Sequence, residues 1–226
     1  MLKKVELLLF LAIVAGLVIF SNRLVENVSS QEIERDEIKI VIDAGHGGND
    51  PGKVGVNDAL EKDINLQIAK KVKELLEEKD MKVVMTRVDD VMLGSGESNN
   101  KKLQDMKERV SLMKQEKPDL VVSIHQNSYT DSSVSGAQVF YYTGSKEGER
   151  AAKLMQEALL SINENNKRQA KANDSYYLLK HVDAPAIIVE CGFLSNPQEA
   201  EKLITEEYQY LISNAIVKGI ESCFVN

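Results

Sequence analysis

Hydrophobic residues in this chain recur with two periods, and the switching between them sets the order of elements. Ile38 to Ile42 is a short run dominated by β-branched residues and reads as a first strand. Met81 to Met85, Leu120 to Ile124 and Ala137 to Tyr142 read the same way, and Tyr176 to Leu179 and Ala186 to Val189 are the last two strand candidates. Between them the spacing is helical. Ile64, Ile68, Val72, Leu75 and Leu76 share one face of a helix over 63–78, and Leu103, Met106, Val110 and Met113 one face of a helix over 101–115. Helices are also expected over 146–162 and 206–221, and Asn196-Pro197 with Glu199 close behind opens a further one. The polar stretch 163–173 reads as a solvated loop. Strands alternating with such helices imply βαβ units. The expected fold is α/β: one domain over 38–226, with a mostly parallel twisted sheet and helices on both faces.

The first 37 residues stand apart from this pattern. Lys3 and Lys4 precede an unbroken apolar run from Leu7 to Phe20, the form of a signal peptide or membrane anchor over 1–20. The run is shorter than the ~20 apolar residues of a full span, and Val28-Ser29-Ser30 is only a weak cleavage site. Lysines held on the cytoplasmic side put everything after Phe20 outside. The domain is therefore expected to be exported, anchored or secreted, with its amino-terminal segment touching the membrane. Residues 21–37 turn polar and charged and read as a linker.

Composition narrows the partners. A hydrophobic content of 43% and a charged content of 28% are ordinary for a globular chain. The net charge of -7 and the absence of a basic run exclude a phosphate-backbone ligand, so no nucleic acid is expected. Cys191 and Cys223 cannot build a disulfide scaffold and lack the spacing of a thiolate metal site.

The suspicious polar residues stand at strand ends, where ligands bind in parallel sheets. His46 follows the first strand between Gly45 and Gly47-Gly48, which let the backbone turn sharply and aim the imidazole outward. His125 ends a buried strand and precedes Gln126-Asn127, two amides suited to fixing a ligand, although a core histidine satisfied by a carbonyl would look similar. Glu61 in Asp58-Ala59-Leu60-Glu61 matches a capping pattern, and on spacing alone that reading is preferred. Its company changes the balance: two histidines and a carboxylate form a catalytic zinc set with a fourth position left for water. Glu190 ends Pro185-Ala186-Ile187-Ile188-Val189 and is placed to accept a proton from water near such a metal. Nothing directs His181 toward the others.

Four segments in order resemble the motifs of the type 3 N-acetylmuramoyl-L-alanine amidases. They are Val41-Ile42-Asp43-Ala44-Gly45-His46-Gly47-Gly48, Glu61-Lys62-Asp63-Ile64-Asn65-Leu66, Ser123-Ile124-His125-Gln126-Asn127, and Glu190-Cys191-Gly192-Phe193-Leu194-Ser195-Asn196. Met85-Thr86-Arg87, the stretch from Ser135 to Tyr142, and Tyr177-Leu178-Leu179-Lys180-His181 resemble the spore-cortex branch of that family. Ala44 and Cys191 depart from it, since the family often has Pro and a small apolar residue there. The resemblance implies the zinc amidase fold, with zinc (Zn2+) on His46, Glu61 and His125 and Glu190 as the catalytic residue. It also implies hydrolysis of the amide between the lactyl group of muramic acid and L-alanine in peptidoglycan. For the cortex branch, that cut prepares muramic-δ-lactam. Family members can depend on activator proteins, and some carry an inhibitory helix for which the short Tyr142–Lys146 connection leaves no room. The same metal set would serve a peptidase cutting within the stem, and a wall-binding protein could keep the fold without the activity.

Overall fold

The computed structural model describes residues 37–94 and 100–225. The expected signal or anchor over 1–20 and the linker up to residue 36 lie outside them. Residues 38–226 form a unit of their own. The strands are β1 (Lys39–Ala44), β2 (Lys82–Met85), β3 (Leu120–Asn127), β4 (Gln138–Tyr142), β5 (Lys171–Asn173) and β6 (Ala186–Phe193). The helices are α1 (Glu61–Glu77), α2 (Lys101–Glu116), α3 (Lys146–Leu160), α4 (Tyr177–His181), α5 (Pro197–Leu203) and α6 (Glu206–Phe224). One six-stranded sheet runs in the order β2-β1-β3-β6-β4-β5. Every pair is parallel except β4 against β6.

Side chains alternate between the two faces of a strand, and here the alternation sorts function as well as packing. Ile40, Ile42, Val122, Ile124, Ile187 and Val189 point to one face, where α1, α3 and α6 cover them with the larger core. Val41, Val121, Ala186 and Ile188 point to the other, under Met113 of α2 and the Leu178-Leu179 pair of α4. Toward the strand ends this second face turns polar: Val41 is followed by Asp43, Val121 by Ser123 and His125, and Ile188 by Glu190. Burial that holds the lower sheet together gives way there to chemistry.

Three expectations need correction. Tyr176 to Leu179 is not a strand but lies at the start of α4. Asn173 Oδ1 accepts from the amides of Ser175 and Tyr176, an Asx turn that launches the helix. Both leucines are then buried together in one cluster, which the alternation of a strand would forbid. The stretch 163–173 is not wholly a loop, because its last residues pair with Phe140–Tyr142 as the edge strand β5. On α2, Leu103 is 41% exposed while Asp105 and Arg109 are buried with Val110 and Met113. That helix turns an ion pair, not its first leucine, toward the sheet.

Candidate metal centre

Glu61, the first residue of α1, holds the centre together. The helix starts after Leu60 with no side-chain cap, so the capping reading of Asp58 to Glu61 does not hold. The Glu61 carboxylate is 2% exposed. Its Oε2 accepts from the Lys53 amide at 2.7 Å, and its Oε1 accepts from the Gln126 amide at 3.1 Å. The same Oε1 lies 2.9 Å from Nδ1 of His125 and 3.2 Å from Nε2 of His46. Burial alone would raise this carboxyl's pKa, but hydrogen bonds from His125 and His46 hold it well below the usual range. For His125 burial opposes the charged form, and the bond to Glu61 outweighs it, so its pKa is raised.

The loop after β1 aims His46. Its φ of 62° is a left-handed conformation uncommon for a residue with a side chain, and the surroundings hold it there. Gly47 and Asp50 exchange backbone hydrogen bonds at 3.0 Å. Arg109 donates to the His46 carbonyl and to Ala44 O, and Arg87 donates to Ala44 O and Gly45 O. Arg109 is itself paired with Asp105 at 2.7 Å and Asp43 at 3.2 Å. Asp43 also accepts from Thr86 and Ser123. Asp50 Oδ2 lies 2.8 Å from His46 Nδ1. A carboxylate on one ring nitrogen fixes the ring's orientation and would leave the other nitrogen, Nε2, free to donate its electron pair to a cation between it and Glu61.

His46, Glu61 and His125 thus bring one donor atom each within 4.8 Å of one another. The imidazole planes stand at 80°, with ring centres 5.0 Å apart. Two nitrogens and one carboxylate oxygen converging this closely suit a tetrahedral divalent cation with one open position. Glycines make the convergence possible. A Cβ on Gly45 would lie 2.3 Å from His125 Cε1, and one on Gly52 would lie 2.5 Å from Glu61 Oε2.

Glu190 stands beside this set without joining it. It is directly across from His125 in the β3/β6 ladder and on the same face. Its Oε2 is buried without a hydrogen-bond partner. Burial pushes the carboxyl up to about 7, with the His125 charge opposing and the Glu61 charge assisting. An unsatisfied buried carboxylate oxygen is costly, which marks the position as a functional candidate, and a carboxyl near neutrality is suited to moving a proton.

Residues 40–222 match the N-acetylmuramoyl-L-alanine amidase family. The chain belongs to that family. It is 40% identical over 184 residues to the germination-specific N-acetylmuramoyl-L-alanine amidase of Bacillus subtilis, spanning 80% of this chain and 77% of that one. The CwlD amidase of Clostridioides difficile, solved in complex with the GerS lipoprotein, superposes with a TM-score of 0.80 at 38% identity, over 83% of this chain and 98% of that one. A second amidase, from Clostridium difficile 630, gives 0.74 at 34%, over 83% and 96%. This amidase is accordingly a peptidoglycan hydrolase of the N-acetylmuramoyl-L-alanine class, with CwlD-like relatives.

The amidase centre uses more residues than the sequence had singled out. Asp50 and Asn65 were missed, although each lies four residues after a flagged one, the spacing of neighbours on a helix turn or tight loop. Asn65 Nδ2 donates to Gly45 O at 3.0 Å and sits 3.4 Å from Glu61 Oε1, and its own oxygen accepts from Gln126. Asp43 gave one signal, a charge set inside an apolar strand, whereas Arg87 and Arg109 stand among polar neighbours and gave none. His181 is exposed, stacked on Tyr177 at 4.0 Å, and takes no part in the cluster.

Proposed function

We propose that this amidase is a zinc enzyme, with the ion held by His46, Glu61 and His125 and the proton carried by Glu190. The observation that supports it most is the pairing of three convergent donors with a buried, unpartnered carboxylate on the adjacent strand. Zinc there would polarise the scissile carbonyl and make water held against it more acidic. Glu190 accepts the proton of the attacking water at Oε2 and returns it to the amine nitrogen of L-alanine as the bond to the lactyl carbonyl breaks. Burial raises this carboxyl and a neighbouring dication would favour its ionised form, so the opposing influences suit a group that takes a proton and gives it back. Similarity to a germination-specific amidase and to CwlD supports a role in the spore cortex, where such a cut leads to muramic-δ-lactam. It also supports export through residues 1–20 to the wall side of the membrane, and an activator protein, with the lipoprotein bound to the Clostridioides enzyme as the precedent for a partner.

The test combines elemental analysis with product identification on cortex-type glycan. Peptides released by the native protein should carry L-alanine as their new amino terminus; any other residue there would indicate a peptidase. Glu190→Gln should retain zinc and lose ~10²–10⁴-fold in turnover, whereas Glu61→Gln should lose both zinc and activity. A Glu190→Gln protein that fails to bind zinc would refute the division of roles.

A further inference from the structure

Arg168 is a cation with no carboxylate in direct contact among the described residues, although buried Glu199 feels its charge. Among the described residues its guanidinium forms no ion pair, in a chain where 35 acidic residues outnumber 28 basic ones. Three neutral contacts fix it instead. Its central carbon stands 4.6 Å above the centre of the Phe193 ring, Nε donates to Ser135 O at 2.8 Å, and Nη1 donates to Gln138 Oε1 at 3.1 Å. Nη2 donates to nothing among the described residues.

Two of those anchors belong to the catalytic end of the sheet. Gln138 is directly across from Glu190 in the β4/β6 ladder, so the two side chains share a face, and Phe193 lies on the same strand just beyond Glu190. Buried Glu199 ties these walls together, accepting from Gly136 N at 2.9 Å and Phe193 N at 2.8 Å. Beside them opens a polar cavity of about 320 Å³ lined by Ser135, Gly136, Asn163, Asn165, Lys167 and Arg168. A planar fork over an aromatic ring, with free N–H groups and with Glu199, the acid that feels its charge, turned to two backbone amides instead, is prepared for an anion from outside.

We propose that Arg168 and this cavity form a carboxylate subsite for the peptide half of the substrate, a statement that rests on the amidase reading above. In peptidoglycan the lactyl carboxyl is consumed in the scissile amide, so negative charge near the cut is carried by the stem peptide. Arg168 accordingly receives a free stem carboxylate close to the scissile bond, through Nη2 and the remaining N–H of Nη1.

Two soluble muramoyl-peptides decide the matter, identical except that the carboxylate of the residue after L-alanine is free in one and amidated in the other. The zinc-loaded native enzyme should prefer the free acid by roughly 10- to 100-fold in kcat/KM, mostly through KM. Arg168→Gln should bring that ratio close to one, with zinc content and melting temperature near native. Arg168→Lys, which keeps the charge but not the fork, should retain part of it. An undiminished ratio in either variant, or a native enzyme indifferent to amidation, would overturn the subsite while leaving the amidase reading intact. Release of peptide from neither substrate, when the same preparation with its activator present also leaves cortex-type glycan uncut, would instead count against the zinc amidase reading, and the subsite would fall with it.

Discussion

Replacing Glu190 with Gln is expected to disable the enzyme and to remove a pH-dependent penalty from the metal-free fold. In the folded chain the Glu190 carboxyl sits at about 7, against an ordinary 4.5. The unfolded chain therefore releases this proton first as pH rises. Between pH 4.5 and 7 the folded state holds a proton that the unfolded state has lost, and stability falls. Above 7 both states are ionised and the penalty is constant. The gap corresponds to about 3 kcal/mol. Gln keeps the shape and never ionises. Its buried amide adds a pH-independent offset of about 1–3 kcal/mol if it finds no acceptor, so the diagnostic is the slope and not the absolute difference. The assay is urea unfolding of both proteins in chelator-treated buffers from pH 5 to 9. The variant should gain on the native protein up to pH 7 and then run parallel to it. Glu61 and His125 are present in both proteins, and what differs between them is their coupling to the Glu190 charge. A difference that is flat with pH, or that shrinks as pH rises, would refute the burial argument. Adding zinc should flatten the curve, because a neighbouring dication favours the ionised carboxylate.

Asp50→Asn weakens the partner that orients His46 and should reduce zinc affinity by about 10–100-fold, read by competition with a chromogenic chelator; unchanged affinity would exclude Asp50 from orienting the ring. Gly45→Ala places a methyl group against the His125 imidazole; overpacking of this kind costs about 1–3 kcal/mol, and zinc binding should fail before the fold does, as parallel melting and metal titrations would reveal. A chain beginning at Gln31 should be soluble and unfold cooperatively; aggregation of that chain would mean that the Leu7–Phe20 run packs into the domain.

His46, His125 and Glu190 were legible as candidates because each stands where a strong local signal ends, whereas Glu61 stood out only in the company of the two histidines. His46 follows an apolar strand into glycines, and His125 and Glu190 close runs of buried residues. The supporting residues were less legible because their meaning is tertiary. Arg109 looks like a surface charge until α2 is laid across the sheet, where it bridges Asp43, Asp105 and the His46 carbonyl. Periodicity also ranked Leu103 above Arg109 for burial, and a buried ion pair with several hydrogen bonds inverted that order. Tyr176 to Leu179 was too short for its period to separate helix from strand, and the Asx turn at Asn173 decided it.

The alternation of faces along β3 sets limits on how this lineage can vary. His125 faces Glu190 only because it is offset by one position from Ile124 and Gln126, which point to the opposite side. Deleting one residue between Leu120 and His125 would rotate every later side chain by half a turn and present Ile124 or Gln126 to the centre. Natural length changes are therefore expected in connections such as 128–136 and 143–145. Strand β3 can exchange side chains over generations, but it cannot be lengthened or shortened by one residue and still leave a working enzyme.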